Sequence, residues 1–211
     1  MINFLLDFLF PKKCLGCGTD GSLFCRDCFK KIEYANPAFV RLAGSPLSGI
    51  ITVAKFKNPL KDAIHILKYE KVRELAEILS KLLIDELKKP GNEFLLDWIF
   101  VPVPLSNLKE KERGFNQLAL LLYEVNKKRP IKILTNCLTK SKNTRPQMQL
   151  KKEERLKNLR GAFVIRNKNA VSGKNIVLVD DVMTTGATLI ECAKVLRRAG
   201  AKKIYGLVLA K

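Results

Sequence analysis

The chain predicts an α/β fold, a parallel sheet flanked by helices, preceded by a small cysteine-rich module. Short apolar, β-branched runs alternate with longer stretches whose apolar residues recur every three or four positions, the pattern of strands joined by crossover helices. One run, 176–188 (IVLVDDVMTTGAT), passes unbroken from a buried strand through an acidic pair into a small polar loop that opens a helix. Two Cys-x-x-Cys knuckles, Cys14/Cys17 and Cys25/Cys28, come first in the chain. This divides it into a module at 1–35, a linker at 36–48 that holds Pro37, Gly44 and Pro46, and a main domain at 49–211.

The elements follow in order. Residues 1–10 are apolar but too short to span a bilayer, and they lack a basic start and a small-residue cleavage site. They read as a helix packed on the cysteine module, with contact to a membrane-bound partner as the other reading. No other segment could cross a membrane, which places the protein in the cytoplasm, with any attachment to the inner membrane made through partners. Gly49–Phe56 is strand-like and ends at Asn58 and Pro59. Helices are expected over Leu60–Tyr69 and Val72–Lys88, with Ile64, Leu67, Leu75, Ile78, Leu79, Leu82 and Leu83 facing the core. His65, the sole histidine, fits a helix-surface or core place better than a catalytic one. Trp98–Pro104 is a second buried strand that breaks into 105–117, where Lys109, Lys111 and Arg113 form an expected loop of cations. The other reading is a solvated charge run at a helix start, which the alternating Glu110 and Glu112 support in part. Residues 140–160 are rich in donors and poor in apolar side chains, as a mobile hood would be. Phe163–Ile165 resumes as a strand, Ala187–Arg198 is a helix closed by Gly200, and Ile204–Leu209 is the last strand.

Each Cys-x-x-Cys turn aims two thiolates at one point, and four thiolates make the soft tetrahedral shell that zinc prefers. Cys14, Cys17, Cys25 and Cys28 are therefore the expected ligands of a structural zinc, with Gly16, Gly18 and Gly21 easing the turns. Disulfides and an iron–sulfur cluster are the competing readings. Four protein ligands leave no open position, so catalysis at this metal is not expected. Cys137 and Cys192 stand apart and read as small core residues.

Asp180 and Asp181 fall at the carboxyl end of a buried strand, where α/β sheets place ligands, and ionised carboxylates are pure acceptors suited to vicinal hydroxyls. In Thr184, Thr185, Gly186, Ala187 and Thr188, hydroxyls and the N–H groups of a helix start face one point, where the helix dipole also favours an anion. Together these residues read as a sugar-phosphate site. The run resembles, position by position, the signature of type I phosphoribosyltransferases, which bind phosphoribosyl pyrophosphate (PRPP). The resemblance implies that Asp180 and Asp181 hold the ribose hydroxyls and that 184–188 hold the 5′-phosphate. It also implies Mg²⁺ on the ligand's pyrophosphate and ribose oxygens, and an acid pair that steadies positive charge at C1. The cations of 105–117 then suit the pyrophosphate, which assigns Lys109, Arg113 and Gly114 to it, Arg113 by a bidentate contact.

Lys plus Arg number 39 against 20 Asp plus Glu, a net charge of +19, far beyond what one PRPP requires. A large polyanion answers that excess, and nucleic acid fits best. A compositionally biased, Lys-rich surface is the other reading, although such surfaces usually carry matching Glu. The hood residues Lys142, Arg145, Gln147 and Arg155 would contact either DNA or PRPP.

Four features in sequence order look like the ComF, or ComFC, family of competence proteins: the paired knuckles; the Val101–Pro104 strand with 112–117 (ERGFNQ); the block from Thr144 and Arg145 through Asn158 to Phe163; and the PRPP signature. That resemblance implies a zinc finger fused to a type I phosphoribosyltransferase domain that handles single-stranded DNA in natural transformation beside helicase or translocation partners. The few aromatic residues argue for a backbone grip over base stacking. A working phosphoribosyltransferase, acting on an acceptor the sequence does not name, is the second expectation. The chain shows no obvious base for that acceptor.

Overall fold

The computed structural model describes residues 12–36, 38–41, 44–142, 154 and 158–211. In chain order these form α1 (Arg26–Lys30), β1 (Phe39–Val40), β2 (Gly49–Ala54), α2 (Leu60–Tyr69), α3 (Glu74–Leu87), a 3-10 turn (Glu93–Asp97), β3 (Ile99–Pro102), α4 (Asn107–Arg113), α5 (Gln117–Lys128), β4 (Lys132–Ile133), β5 (Leu138–Lys140), β6 (Phe163–Ile165), β7 (Asn175–Val182), α6 (Ala187–Arg198) and β8 (Lys203–Ala210). The expected N-terminal helix over 1–10 lies outside the described residues.

The main sheet has the order β1-β2-β8-β7-β3-β4, and all neighbours run parallel except the edge strand β1, which pairs antiparallel with β2. The predicted parallel sheet flanked by helices is present. β7 and β8 lie at its centre, which explains why both read as apolar runs: Ile176 to Val179 and Leu207 to Leu209 are buried on both faces. β5 and β6 form a separate antiparallel ribbon, with Lys140 opposite Phe163. A parallel bridge from Ser106 to Lys140 ties that ribbon to the start of α4, and so brings the root of the expected hood beside the carboxyl ends of β3 and β7.

Several elements differ from the expectation. The cationic stretch 105–117 is mostly helix: α4 covers Asn107–Arg113 and stops at Gly114, whose φ of 77° is left-handed and whose N–H closes on the Glu110 carbonyl at 2.7 Å. Residues 117–128 form α5, whose Leu118, Leu121, Leu122 and Val125 are buried with helical spacing. Asn116 caps it, its Oδ1 accepting from Leu118 N–H at 2.9 Å. The stretch 36–48 also holds β1, so part of it belongs to the sheet. β7 continues one residue beyond the acid pair at which it was expected to end, to Val182. Cys137 and Cys192 are fully buried, as expected of core residues, and His65 is exposed on α2 against the Tyr69 ring.

Candidate functional site

The acid pair stands at the carboxyl end of β7, between β8 and β3. Alternation along the strand turns its two side chains to different surroundings. Asp181 is buried, 6% exposed. Its Oδ1 accepts from the Lys68 ammonium at 2.6 Å and from Val182 N–H at 2.7 Å, and its Oδ2 accepts from Gln117 Nε2 at 2.5 Å. Gln117 in turn accepts through Oε1 from Arg113 Nη1 at 2.7 Å. The Arg113 guanidinium lies 5.3 Å from the centre of the Tyr69 ring. Asp180 is half-buried, and its Oδ1 accepts the Asp181 N–H at 2.9 Å.

These surroundings separate the two carboxyls electrostatically. Burial pushes Asp180 up to about 7, helped by the Asp181 charge and only partly countered by Lys68. Burial also works against ionisation of Asp181. There the Lys68 charge, together with hydrogen bonds from Lys68, Gln117 and the Val182 N–H, holds the carboxyl below the usual carboxylate range.

The phosphate loop follows. Asp180, Val182, Met183 and residues 184–188 line a small cleft at the start of α6. Gly186 is the N-cap, with a φ of 73° that favours glycine. The first backbone bond of the helix runs from Ile190 N–H to the Gly186 carbonyl, so the N–H groups of 187–189 precede the helical ladder, and Ala187 N–H meets Thr185 Oγ1 at 3.4 Å. An anion placed here would meet N–H donors, hydroxyls and the positive helix end together.

Four cations crowd the same region: Lys68 from α2, Lys109 and Arg113 from α4, and Lys140 from β5. Burial, then the Arg113 and Lys68 charges, holds Lys109 below its ordinary value; burial and Lys109 do the same to Lys140. Like charges pressed together in this way favour an anion of high charge. The structure thus gathers Lys109, Arg113, Asp180, Asp181 and the loop 184–188 at one end of the sheet, with Gly114 closing α4. Lys142 is exposed at the root of the hood, its ammonium 3.5 Å from the Arg160 carbonyl. Arg145, Gln147 and Arg155 lie outside the described residues. Sequence motifs missed Lys68, whose only signal was a cation at the end of an amphipathic helix. They also gave no role to Gln117 or Lys140.

The four thiols of Cys14, Cys17, Cys25 and Cys28 lie within 4.8 Å of one another. Cys17 and Cys25 are 3.7 Å apart, close to the edge of a tetrahedron with ~2.3 Å zinc–sulfur bonds. The donor set and spacing fit a structural zinc. The module is seated on the main domain: Cys14, Phe24, Cys28 and Ile32 share its buried core, Lys12 pairs with Glu74 at 2.8 Å, and a Cβ on Gly16 would sit 3.2 Å from Pro59, which precedes α2.

Cys17→Ser removes one of the four ligands, so zinc content measured by atomic absorption should fall from about one per chain toward zero, with a lowered melting temperature, because a structural zinc contributes on the order of 10 kcal/mol. Asp180, raised in the fold, adds stability that is full below the ordinary carboxylate range and lost as pH rises through about 7. Asp180→Asn should therefore melt a few degrees above the parent at pH 8, and the gain should shrink toward pH 5; equal gains at both pH values would contradict the shift.

Residues 115–211 match the phosphoribosyl transferase domain, and residues 5–55 match the double zinc ribbon domain. The DNA utilization protein YhgH of Escherichia coli (strain K12) is 34% identical over 197 residues, covering 90% of this chain and 80% of that protein. Competence protein F of Haemophilus influenzae is 29% identical over 93% of this chain and 90% of the relative. Competence protein ComFC of Bacillus subtilis is 29% identical over 89% of this chain and 72% of the relative. With a zinc-ribbon module joined to a phosphoribosyltransferase fold, and with these relatives matching nearly its whole length, the chain belongs to the ComF/ComFC family of competence proteins.

Proposed function

We propose that this protein binds PRPP with Mg²⁺ and handles single-stranded DNA during natural transformation, beside helicase or translocation partners. The observation that carries the PRPP reading is the convergence of Lys68, Lys109, Arg113 and Lys140 on the acid pair next to the phosphate loop. PRPP has a matching sequence of groups: a 5′-phosphate for residues 184–188, vicinal hydroxyls for the open carboxylate oxygens of the acid pair, and a pyrophosphate for the cations. Mg²⁺ would enter on the pyrophosphate and ribose oxygens of the ligand and lower its charge as it binds. The DNA reading rests on the net charge of +19 and on relatives named for competence and DNA utilization. Among the described residues no helix is long and apolar enough to cross a membrane. A cytoplasmic place, with contact to the inner membrane through partners, accords with this reading.

A second reading, transfer of phosphoribose to an acceptor, draws support from Asp180. A carboxyl that titrates near neutrality is suited to take a proton from an incoming nucleophile or to offset positive charge at C1. In that step the bond from C1 to pyrophosphate breaks, pyrophosphate leaves with the electron pair, and the acceptor forms the new bond to C1 and loses its proton. Release of pyrophosphate from PRPP in the presence of candidate amines or bases distinguishes transfer from binding.

Calorimetric titration of the zinc-loaded protein with PRPP and Mg²⁺ should give saturable binding that Asp180→Ala/Asp181→Ala abolishes. Affinity for a mixed-sequence single-stranded oligonucleotide should fall roughly a hundredfold between about 50 and 200 mM salt if about five phosphates are contacted, with little sequence preference. Absence of PRPP binding overturns the first half of the reading, and salt-insensitive DNA affinity overturns the second.

A further inference from the structure

The carboxylates of the acid pair differ in how much accepting capacity the protein itself consumes. An ionised carboxylate oxygen accepts about two hydrogen bonds. Asp181 Oδ1 already takes the Lys68 ammonium and the Val182 N–H, and Oδ2 takes Gln117. One oxygen is full, and the other has room for a single donor. Among the described residues Asp180 accepts only the Asp181 N–H, on one oxygen. Asp180 also lines the cleft formed by the phosphate loop, and Asp181 does not. The Lys68 and Asp181 side chains are 17% and 9% exposed, so the ion pair between them is largely shielded from water. A shielded charge left without its partner is costly, which holds each of the two in place.

We propose that the pair divides its work: Asp180 receives the ribose hydroxyls, while Asp181 is a positioning residue that sets Lys68 directly, and Arg113 through Gln117, as cations facing the pyrophosphate. This rests on the reading of the site as a PRPP site and refines it. Lys68 becomes a residue that distinguishes a pyrophosphate-bearing ligand from a simple sugar phosphate. Its place supports the assignment. It lies at the end of α2, near enough to Lys109 and to both carboxylates for its charge to act on all three. The Arg113 guanidinium uses one donor on Gln117 and stacks on Tyr69, which fixes its plane and leaves further N–H donors for a phosphate.

The test measures three ligands, PRPP with Mg²⁺, ribose 5-phosphate and inorganic pyrophosphate with Mg²⁺, on the zinc-loaded full chain and four variants. Asp180→Asn should weaken ribose 5-phosphate by about tenfold or more. Lys68→Met and Asp181→Asn should leave ribose 5-phosphate within about threefold while weakening PRPP and pyrophosphate by about tenfold or more. The double variant Lys68→Met/Asp181→Asn should be no weaker than the poorer single, because the two act as one unit. Should Asp181→Asn fail to fold, with Lys68 stranded, the Lys68→Met and double variants carry the same comparison, since the double removes both charges together. If Asp181→Asn or the double variant weakens ribose 5-phosphate as much as Asp180→Asn does, or if Lys68→Met leaves PRPP affinity unchanged, the division of work is overturned and the PRPP reading stands. If the parent protein binds none of the three ligands, the reading of the site falls and this inference falls with it.

Discussion

Asp181 stands next to last in the central strand β7 with its carboxylate beneath the surface, and an ionised carboxylate there needs a cation and several donors to remain charged. Lys68 supplies the cation at 2.6 Å, and Gln117 and the Val182 N–H supply the donors. Removing one member of such a pair typically costs about 3–5 kcal/mol, because the other stays buried and uncompensated. This requirement organises the rest of the site. It fixes the end of α2 against β7, draws Gln117 and with it α5 toward the same point, and holds Arg113 at the end of α4. Asp180 is left as the carboxyl with open oxygens, its ionisation disfavoured by burial and by its neighbour.

The same arrangement accounts for how the zinc-ribbon module meets the phosphoribosyltransferase fold. Pro59, the residue before α2, lies against the knuckle at Gly16, and Lys68 in the last turn of α2 meets the acid pair. The short segment from Pro59 to Lys68 therefore runs from the cysteine knuckle to the acid pair at the carboxyl end of the sheet, and the ion pair of Lys12 with Glu74 adds a second tie at the start of α3. The module is packed into the common core and is not a bead on a string. Its metal steadies a segment too small to bury an adequate core alone.

Much of this was legible in the sequence wherever a local pattern carries the physics. The run from Ile176 to Thr188 announced strand, acids and helix start in one stretch, and the Cys-x-x-Cys pairs announced their cluster by spacing. Legibility ended where partners meet only through the fold. Lys68 is separated from Asp181 by 113 positions, and nothing in the composition of α2 marks it as different from the solvated lysines around it. The stretch from 105 to 117 looked like a loop because its charges hide a short helix; the capping by Gly114 and the packing of Leu118, Leu121 and Leu122 decide the matter. The acid pair was read as two equivalent ligands, since adjacency in sequence does not reveal that a strand turns consecutive side chains toward opposite surroundings.

The measurement that bears most directly on the account is a pH titration of the aspartate carboxyl carbons by NMR, with Asp180→Asn used for assignment. The Asp180 signal should titrate near neutrality, with a midpoint of about 7, while the Asp181 signal stays in its ionised position to below the usual carboxylate range. Two signals that move together in the ordinary carboxylate range would contradict it, and would mean that Lys68 and Gln117 do not hold Asp181 apart from its neighbour.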